Sequence, residues 1–430
     1  MTTDDRRQTT DDRRQTTDNG LYNVMRETIV LREFEACDIE MSARDYSSLR
    51  SRYAGRLSIT PTERPGIYRL TAQDYVGRIC LPGGQTVVIE PKIEVANLFY
   101  MLCVDAGLVH FYQPLVRLKQ NTEIFPFVLS ALVSEAEKVL VKGVYSDYQA
   151  REEDLPLVRG RVALETQIAR YGELRHRHIC HYAQLSADTV ENRIVAATLR
   201  QAALLLRPLT EVTMLRRVRD LLHRFEEVAI TTPATALVAF MRVKKHRLNA
   251  HYWPLLGLCR LVLNGLSLSE GDGPHPFPSF LVNMPLLFES FLTARLRSAL
   301  PGEGLRAVAQ RHDYLDAARK VGIRPDLLVY GATKTKPLLV LDAKYKRLDV
   351  ADAEINRDIY QVSAYMDRYS LSRGVLVYPS WGRPAPGEMR LLGTPKELHV
   401  ATLNLAAASP AELDQECAKL TSYVATLARS

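Results

Sequence analysis

In the first quarter of the chain, apolar residues come in short runs cut by Pro and Gly: Thr28 to Phe34, Leu57 to Ile59, Gly66 to Ala72, Val76 to Leu81 and Thr86 to Pro91. Runs of this kind between turn formers read as strands, and Pro82-Gly83-Gly84 reads as a hairpin turn. A helix, Val95 to Val104, follows Ile89-Glu90-Pro91-Lys92. Residues 25–120 are therefore expected to form a β-rich domain, a small barrel. It carries no constellation of catalytic side chains, so docking or binding is its expected role.

Between 121 and 275 the period changes to that of a helix. Phe127 to Lys142 has apolar residues at helical spacing and stops at Gly143, a C-terminal signal. Asp188 with Glu191 has the spacing of a capping box opening a helix that runs through Leu206. Leu157 to Val162 reads as a strand or tight connector, and the region as a whole is expected to be mainly helical. From 276 to 430 the two periods alternate: a helix from Leu286 to about Leu300, strands at Leu305 to Asp313, Asp326 to Tyr330 and Leu338 to Leu341, a helix carrying Gln361 and Tyr365, and a strand at Gly374 to Pro379. This αβββαβ order continues into a strand, Leu398 to Leu405, and a last helix opened by Ser409-Pro410-Ala411-Glu412, a capping box with Pro at its first position. The expected fold class is multidomain α/β.

The strands at 326 and 338 flank Gly331 to Pro337, which has turn composition. Antiparallel pairing about Lys334 sets Asp326 opposite Asp342 and Arg324 opposite Lys344. Alternation puts Val340, Asp342 and Lys344 on one face and Leu341, Ala343 and Tyr345 on the other. Opposed carboxylates repel unless a cation lies between them, and oxygen ligands at the end of a hairpin suit Mg²⁺ or Mn²⁺. A lysine two residues from one ligand can orient or help deprotonate an attacking water. Alternatively, both aspartates cap strand ends and Lys344, Lys346 and Arg347 form a solvated edge. Glu289 falls on an apolar helix face, where a carboxylate is costly unless paired or metal-bound; Arg295 and Lys320 are the ion-pair partners on offer.

A net charge of +7 over 430 residues is compatible with an anionic partner such as nucleic acid. Arg216, Arg217, Arg219, His223 and Arg224 form one basic cluster and Arg242, Lys244, Lys245, His246 and Arg247 another; each is either a phosphate contact or a solvated helix face. The six cysteines include no CxxC pair and read as free thiols of a reducing compartment. His176, His178 and Cys180 would share a strand face with His181 pointing away, which does not complete a tetrahedral zinc site. No secretory signal is present, and the most apolar long stretch, Tyr252 to Leu268, contains Arg260 and Asn264, so a cytoplasmic protein without a membrane span is expected. Residues 1–24, with the tandem repeat TTDDRRQ, are expected to be disordered. No GxxxxGK[ST] run occurs, so no nucleotide is expected on this chain.

Arg324-Pro325-Asp326, followed after the hairpin by Asp342-Ala343-Lys344, resembles the PD-(D/E)xK nuclease signature, and Gln361 with Tyr365 resembles the QxxxY motif of its RecB-like branch. In that superfamily a first-helix glutamate often completes the site, which makes Glu289 a candidate. More broadly, Tyr75-Val76-Gly77, Ile89-Glu90-Pro91-Lys92, Asn97, Leu157-Val158-Arg159-Gly160-Arg161, Asp188 with Asn192-Arg193, and Leu287-Phe288-Glu289 make the chain from Met25 onward similar to the McrC subunits of McrBC modified-cytosine restriction systems. The resemblance implies an endonuclease in which Asp326, Asp342 and the Ala343 carbonyl hold Mg²⁺, Lys344 positions the water, Glu289 extends the acidic site, and Gln361 and Tyr365 orient Lys344 or the scissile phosphate. It also implies duplex DNA as substrate and a separate AAA+ GTPase motor that recognises methylated DNA, docks on the N-terminal region and is stimulated by it. Pairing of two copies on DNA stays open. So do two other readings: a stand-alone RecB-like repair nuclease, and a non-catalytic regulator of a ring NTPase.

Overall fold

The computed structural model describes residues 28–108, 124–172, 176–206, 212–267, 279–346, 352–381, 387–390 and 395–430. The repeat tail and the domain boundaries expected at 120 and 275 lie outside them. The molecule is mixed α/β, and among the described residues no helix is long and apolar enough to cross a membrane.

The N-terminal strands form two open sheets over one core. One sheet has the order Thr28–Arg32, Thr86–Glu90, Tyr75–Cys80 and Phe280–Asn283; the other has Ala36–Glu40, Ile67–Ala72 and Leu57–Pro61. Leu31, Leu49, Leu70, Ile79, Val87 and Leu281 fill the space between them. The barrel expected from the strand spacing is thus a pair of sheets whose hydrogen bonding does not close into a ring among the described residues. Helix Ala43–Arg52 was not legible in the apolar pattern, because it buries only Asp45 and Leu49; Ser42 caps it, accepting from Asp45 N at 3.1 Å. The fourth strand of the first sheet comes from far along the chain. It pairs Leu281 with Gly77, and hydrogen bonding therefore crosses the boundary drawn at 275.

The middle region has the expected helices, among them Ile124–Val141, Val190–Leu206 and Trp253–Ser267, and also a three-stranded sheet. Its strands are Asp147–Leu155, His178–Ser186 and Arg161–Val162, so the stretch at 157–162, expected as a strand or tight connector, ends in a short strand. The capping box at 188–191 is not formed. Thr189 Oγ1 accepts from Asn192 N at 3.4 Å, while the Asp188 carboxylate takes two bonds of 2.7 Å from Arg193 and Glu191 turns to Asn249 Nδ2 at 2.9 Å. One hydrophobic core runs from Val95–Asp105 and Ile124–Val141 through Val190–Leu206 and Trp253–Ser267 to helix Met284–Ala299. Asn97, fully buried, donates to the carbonyls of Leu405 (3.2 Å) and Ala407 (2.6 Å), tying this core to the end of the chain.

The C-terminal sheet has six strands in the order Leu305–Ala309, Leu327–Gly331, Pro337–Ala343, Arg373–Ser380, Glu397–Asn404 and Gly387–Arg390. The first three are antiparallel neighbours; helix Asp352–Tyr369 makes the crossover to the parallel strand Arg373–Ser380. Leu327, Val329, Leu339 and Leu341 face helices Met284–Ala299 and Pro410–Arg429, and Leu328, Tyr330 and Val340 pack with Val362, Tyr365 and Met366. The two faces expected from alternation are therefore both buried, as in a sheet covered by helices on each side. Ser409 caps the last helix, accepting from Glu412 N at 3.3 Å, with Pro410 at its first turn.

Gly77 has φ +137°, and a Cβ there would lie 2.1 Å from the Phe280 carbonyl oxygen. Gly77→Ala is expected to cost roughly 2 kcal/mol or more in denaturant unfolding. Gly84→Ala, with φ +93° but open space around it, should cost less; equal losses would contradict the close strand approach.

Candidate active site

The hairpin pairs Leu327 with Leu341, Leu328 with Val340 and Val329 with Leu339, the register expected for a turn near Lys334, with an irregularity at Tyr330. One step further, Asp326 and Asp342 stand at the end of the ladder. The Asp326 carboxylate turns onto the neighbouring main chain and accepts from Ala343 N at 2.8 Å. Asp342 is fully buried; its Oδ2 lies 2.6 Å from Lys344 Nζ, a charge contact off the hydrogen-bonding line, and its Oδ1 has no hydrogen-bond partner among the described residues.

Burial first, then the charges of Asp342 and Glu289, push Asp326 from the usual 3.8 to about 8, against the Ala343 N–H and Lys344. Burial also raises Asp342; Lys344 opposes it, and Asp358 and Glu289 add to it. Burial by itself would lower Lys344, but Asp342, Asp326 and Asp358 outweigh it and hold the side chain as an ammonium. The arrangement thus presents a buried carboxylate oxygen without a donor and a second carboxylate beside the neighbouring strand. Both are hard oxygen donors of the kind Mg²⁺ or Mn²⁺ takes, and burying them uncompensated is costly.

Glu289 is half-buried on helix Met284–Ala299 and makes neither of the ion pairs the sequence offered. Arg295 pairs with Asp414, and Glu289 accepts from Gln310 Nε2, whose Oε1 in turn accepts from Arg324. Among the described residues no three carboxylate, imidazole or thiol groups converge on one point, so Glu289 acts on the two aspartates through its field and does not close a three-carboxylate cage with them. Glu289 and Gln310 also line a cavity of about 590 Å³, to which Arg260 and Arg297 contribute. Gln361 and Tyr365 share a helix face as expected, yet they bond each other (Nε2 to Oη, 2.7 Å) and not Lys344.

The sequence reading missed Asp358. It is 3% exposed and its carboxylate accepts from Lys346 Nζ at 3.1 Å and Tyr378 Oη at 2.8 Å. The available signal was its spacing, three and seven residues before Gln361 and Tyr365 on one helix face. Lys346 is therefore paired and is not a solvated edge; Arg347 lies outside the described residues. In the first basic cluster Arg217 grips Glu137 with bonds of 2.8 and 2.7 Å, whereas Arg242, Lys244, Lys245, His246 and Arg247 are exposed. Cys180 is buried, and His181 bonds Glu152 at 2.6 Å.

Asp326 ionises above 3.8 in an unfolded chain and above about 8 in the fold. Without a divalent cation the fold keeps a proton that the unfolded chain releases, so this residue makes stability fall as pH rises from about 4 to about 8. Asp326→Asn should flatten that fall, being more stable than the parent at pH 8 in chelator and no more stable at pH 4. Parallel thermal-unfolding curves across that range would refute the assignment.

The profile of the McrBC 5-methylcytosine restriction system component matches residues 70–379. A curated relative, the type IV methyl-directed restriction enzyme EcoKMcrBC of Escherichia coli (strain K12), is 22% identical over 351 residues, which is 75% of this chain and 95% of the relative. A chain in the refined half-complex from the tetradecameric assembly of Thermococcus gammatolerans McrB AAA+ hexamers with bound McrC superposes with a TM-score of 0.58 at 17% identity, covering 92% of this chain and 100% of that one. At that identity the likeness is one of fold. The family match takes in the later strands of the N-terminal sheets, from within Ile67–Ala72 onward, the middle region and every candidate residue from Glu289 to Tyr378, and the chain belongs to the McrBC 5-methylcytosine restriction system component family.

Proposed function

We propose that this chain is the cutting subunit of a modified-cytosine-dependent restriction system. It is a PD-(D/E)xK endonuclease that hydrolyses duplex DNA with Mg²⁺ when seated on a separate AAA+ GTPase, whose GTP hydrolysis it stimulates. The observation that carries this reading is the buried end of the hairpin, where Asp342 Oδ1 has no partner while Asp326 and Lys344 stand beside it. The order of helix, three strands, helix and strand that presents these groups supports the superfamily assignment. The E. coli relative is named as a methyl-directed restriction enzyme, and the Thermococcus McrC is bound to McrB AAA+ hexamers, which supports the partner.

Asp326, Asp342 and the Ala343 carbonyl would hold the cation, which when bound supplies charge stabilisation at the phosphoryl oxygen. Lys344, kept as an ammonium by its carboxylate neighbours, orients the attacking water and faces the phosphate. Glu289 extends the acidic site. Gln361 and Tyr365 fix the scissile phosphate as a bonded pair.

Methylated and unmethylated duplexes, each with and without the GTPase and GTP, provide the test. Methylated DNA should be cut only with both present. Asp342→Ala or Lys344→Ala should lower cleavage by about 10³-fold or more while leaving GTP hydrolysis stimulated. Cutting by the chain alone would identify a stand-alone repair nuclease, and no Mg²⁺-dependent cutting in any mixture a non-catalytic regulator.

A further inference from the structure

The N-terminal sheet reaches the proposed centre at two places. First, Tyr345 follows Lys344 directly and points to the other face of the strand. It is 6% exposed, and its hydroxyl donates to Glu33 Oε2 at 3.2 Å. Glu33 follows strand Thr28–Arg32 of the N-terminal sheet and is fully buried; the same Oε2 receives the Lys92 N–H at 3.5 Å, and Oε1 has no partner among the described residues. The Tyr345 ring lies 5.8 Å from that of Phe288, the residue before Glu289, and 6.5 Å from that of Trp381. Lys92, from the Ile89-Glu90-Pro91-Lys92 stretch, sets its ammonium over Phe34 (4.7 Å) and Trp381 (5.8 Å). Second, strand Phe280–Asn283 of the same sheet runs straight into the Glu289 helix, whose Met284 N–H bonds the Asp74 carbonyl at 2.9 Å.

A carboxylate buried with one oxygen unmatched is costly, and an apolar residue would fill the same space without that cost. What the carboxylate adds is direction. It fixes the Tyr345 hydroxyl, and with it the strand end that carries Lys344. The ring passes the same constraint to Phe288 and so to Glu289.

We propose that Glu33 and Tyr345 are positioning residues for DNA cleavage: through their hydrogen bond the N-terminal sheet sets Lys344 and Glu289. The inference rests on the nuclease reading. Neither residue touches substrate; both act through their neighbours.

The full chain in complex with its GTPase, given methylated duplex, GTP and Mg²⁺, tests it with Glu33→Ala, Glu33→Gln and Tyr345→Phe. Glu33→Ala and Tyr345→Phe should lower kcat for cleavage roughly tenfold to a hundredfold, with KM for DNA and GTP hydrolysis unchanged. Glu33→Gln, which keeps an acceptor oxygen in the same place, should hold cleavage within about twofold of the parent, as a retained bond requires. Unchanged cleavage in Glu33→Ala and Tyr345→Phe, equal losses in the Gln and Ala variants, or GTP hydrolysis falling along with cleavage overturns the proposal while leaving the nuclease reading intact. Absence of cleavage by the unsubstituted complex overturns the nuclease reading, and this inference with it.

Discussion

Two carboxylates at the end of a buried hairpin repel each other, and the region around residues 323–365 is shaped by how that repulsion is met. Asp326 escapes part of it by bonding the Ala343 N–H, and Asp342 by its contact with Lys344. What is left over is an Asp342 oxygen without a donor and an Asp326 whose proton is held to about 8. Lys344 answers one carboxylate but not two, with Glu289 and Asp358 adding to the negative field. A divalent cation is the simplest remaining counter-charge, and it matches donors that are all oxygen.

The surroundings explain how such a hairpin end is tolerated. Both faces of the central sheet are buried, so the strand that carries Asp342 and Lys344 cannot shift to relieve the repulsion. The helix that carries Glu289 is continuous with a strand of the N-terminal sheet, and the hydrogen bond from Tyr345 to Glu33 joins that sheet to the segment that carries Lys344. The N-terminal sheet thereby touches both flanks of the proposed centre.

The hairpin was legible because its information is local: a turn composition, a period of two and a fixed sum of positions suffice to oppose Asp326 and Asp342. The paired helix residues Gln361 and Tyr365 were legible for the same reason. Asp358 was not, since what makes it notable is burial against Lys346, from the segment after one strand, and Tyr378, from another strand. Glu289 stood out as a misplaced carboxylate, but its partner Gln310 comes from the far end of another strand and no spacing announces it. The open N-terminal sheets escaped notice because their fourth strand lies about 200 positions away, beyond any periodicity argument. The cap at Thr189 went to the residue beside the expected one, as Asp188 found a stronger partner in Arg193.

Asp326 and Asp342 are proposed to hold a divalent cation. Mn²⁺ titration of the full chain followed by electron paramagnetic resonance measures this without requiring DNA, partner or turnover. The parent chain should bind Mn²⁺, with Mg²⁺ competing, and Asp342→Asn should weaken binding about tenfold or more. Equal Mn²⁺ affinity in the parent and in Asp342→Asn, or no binding by the parent, would contradict it.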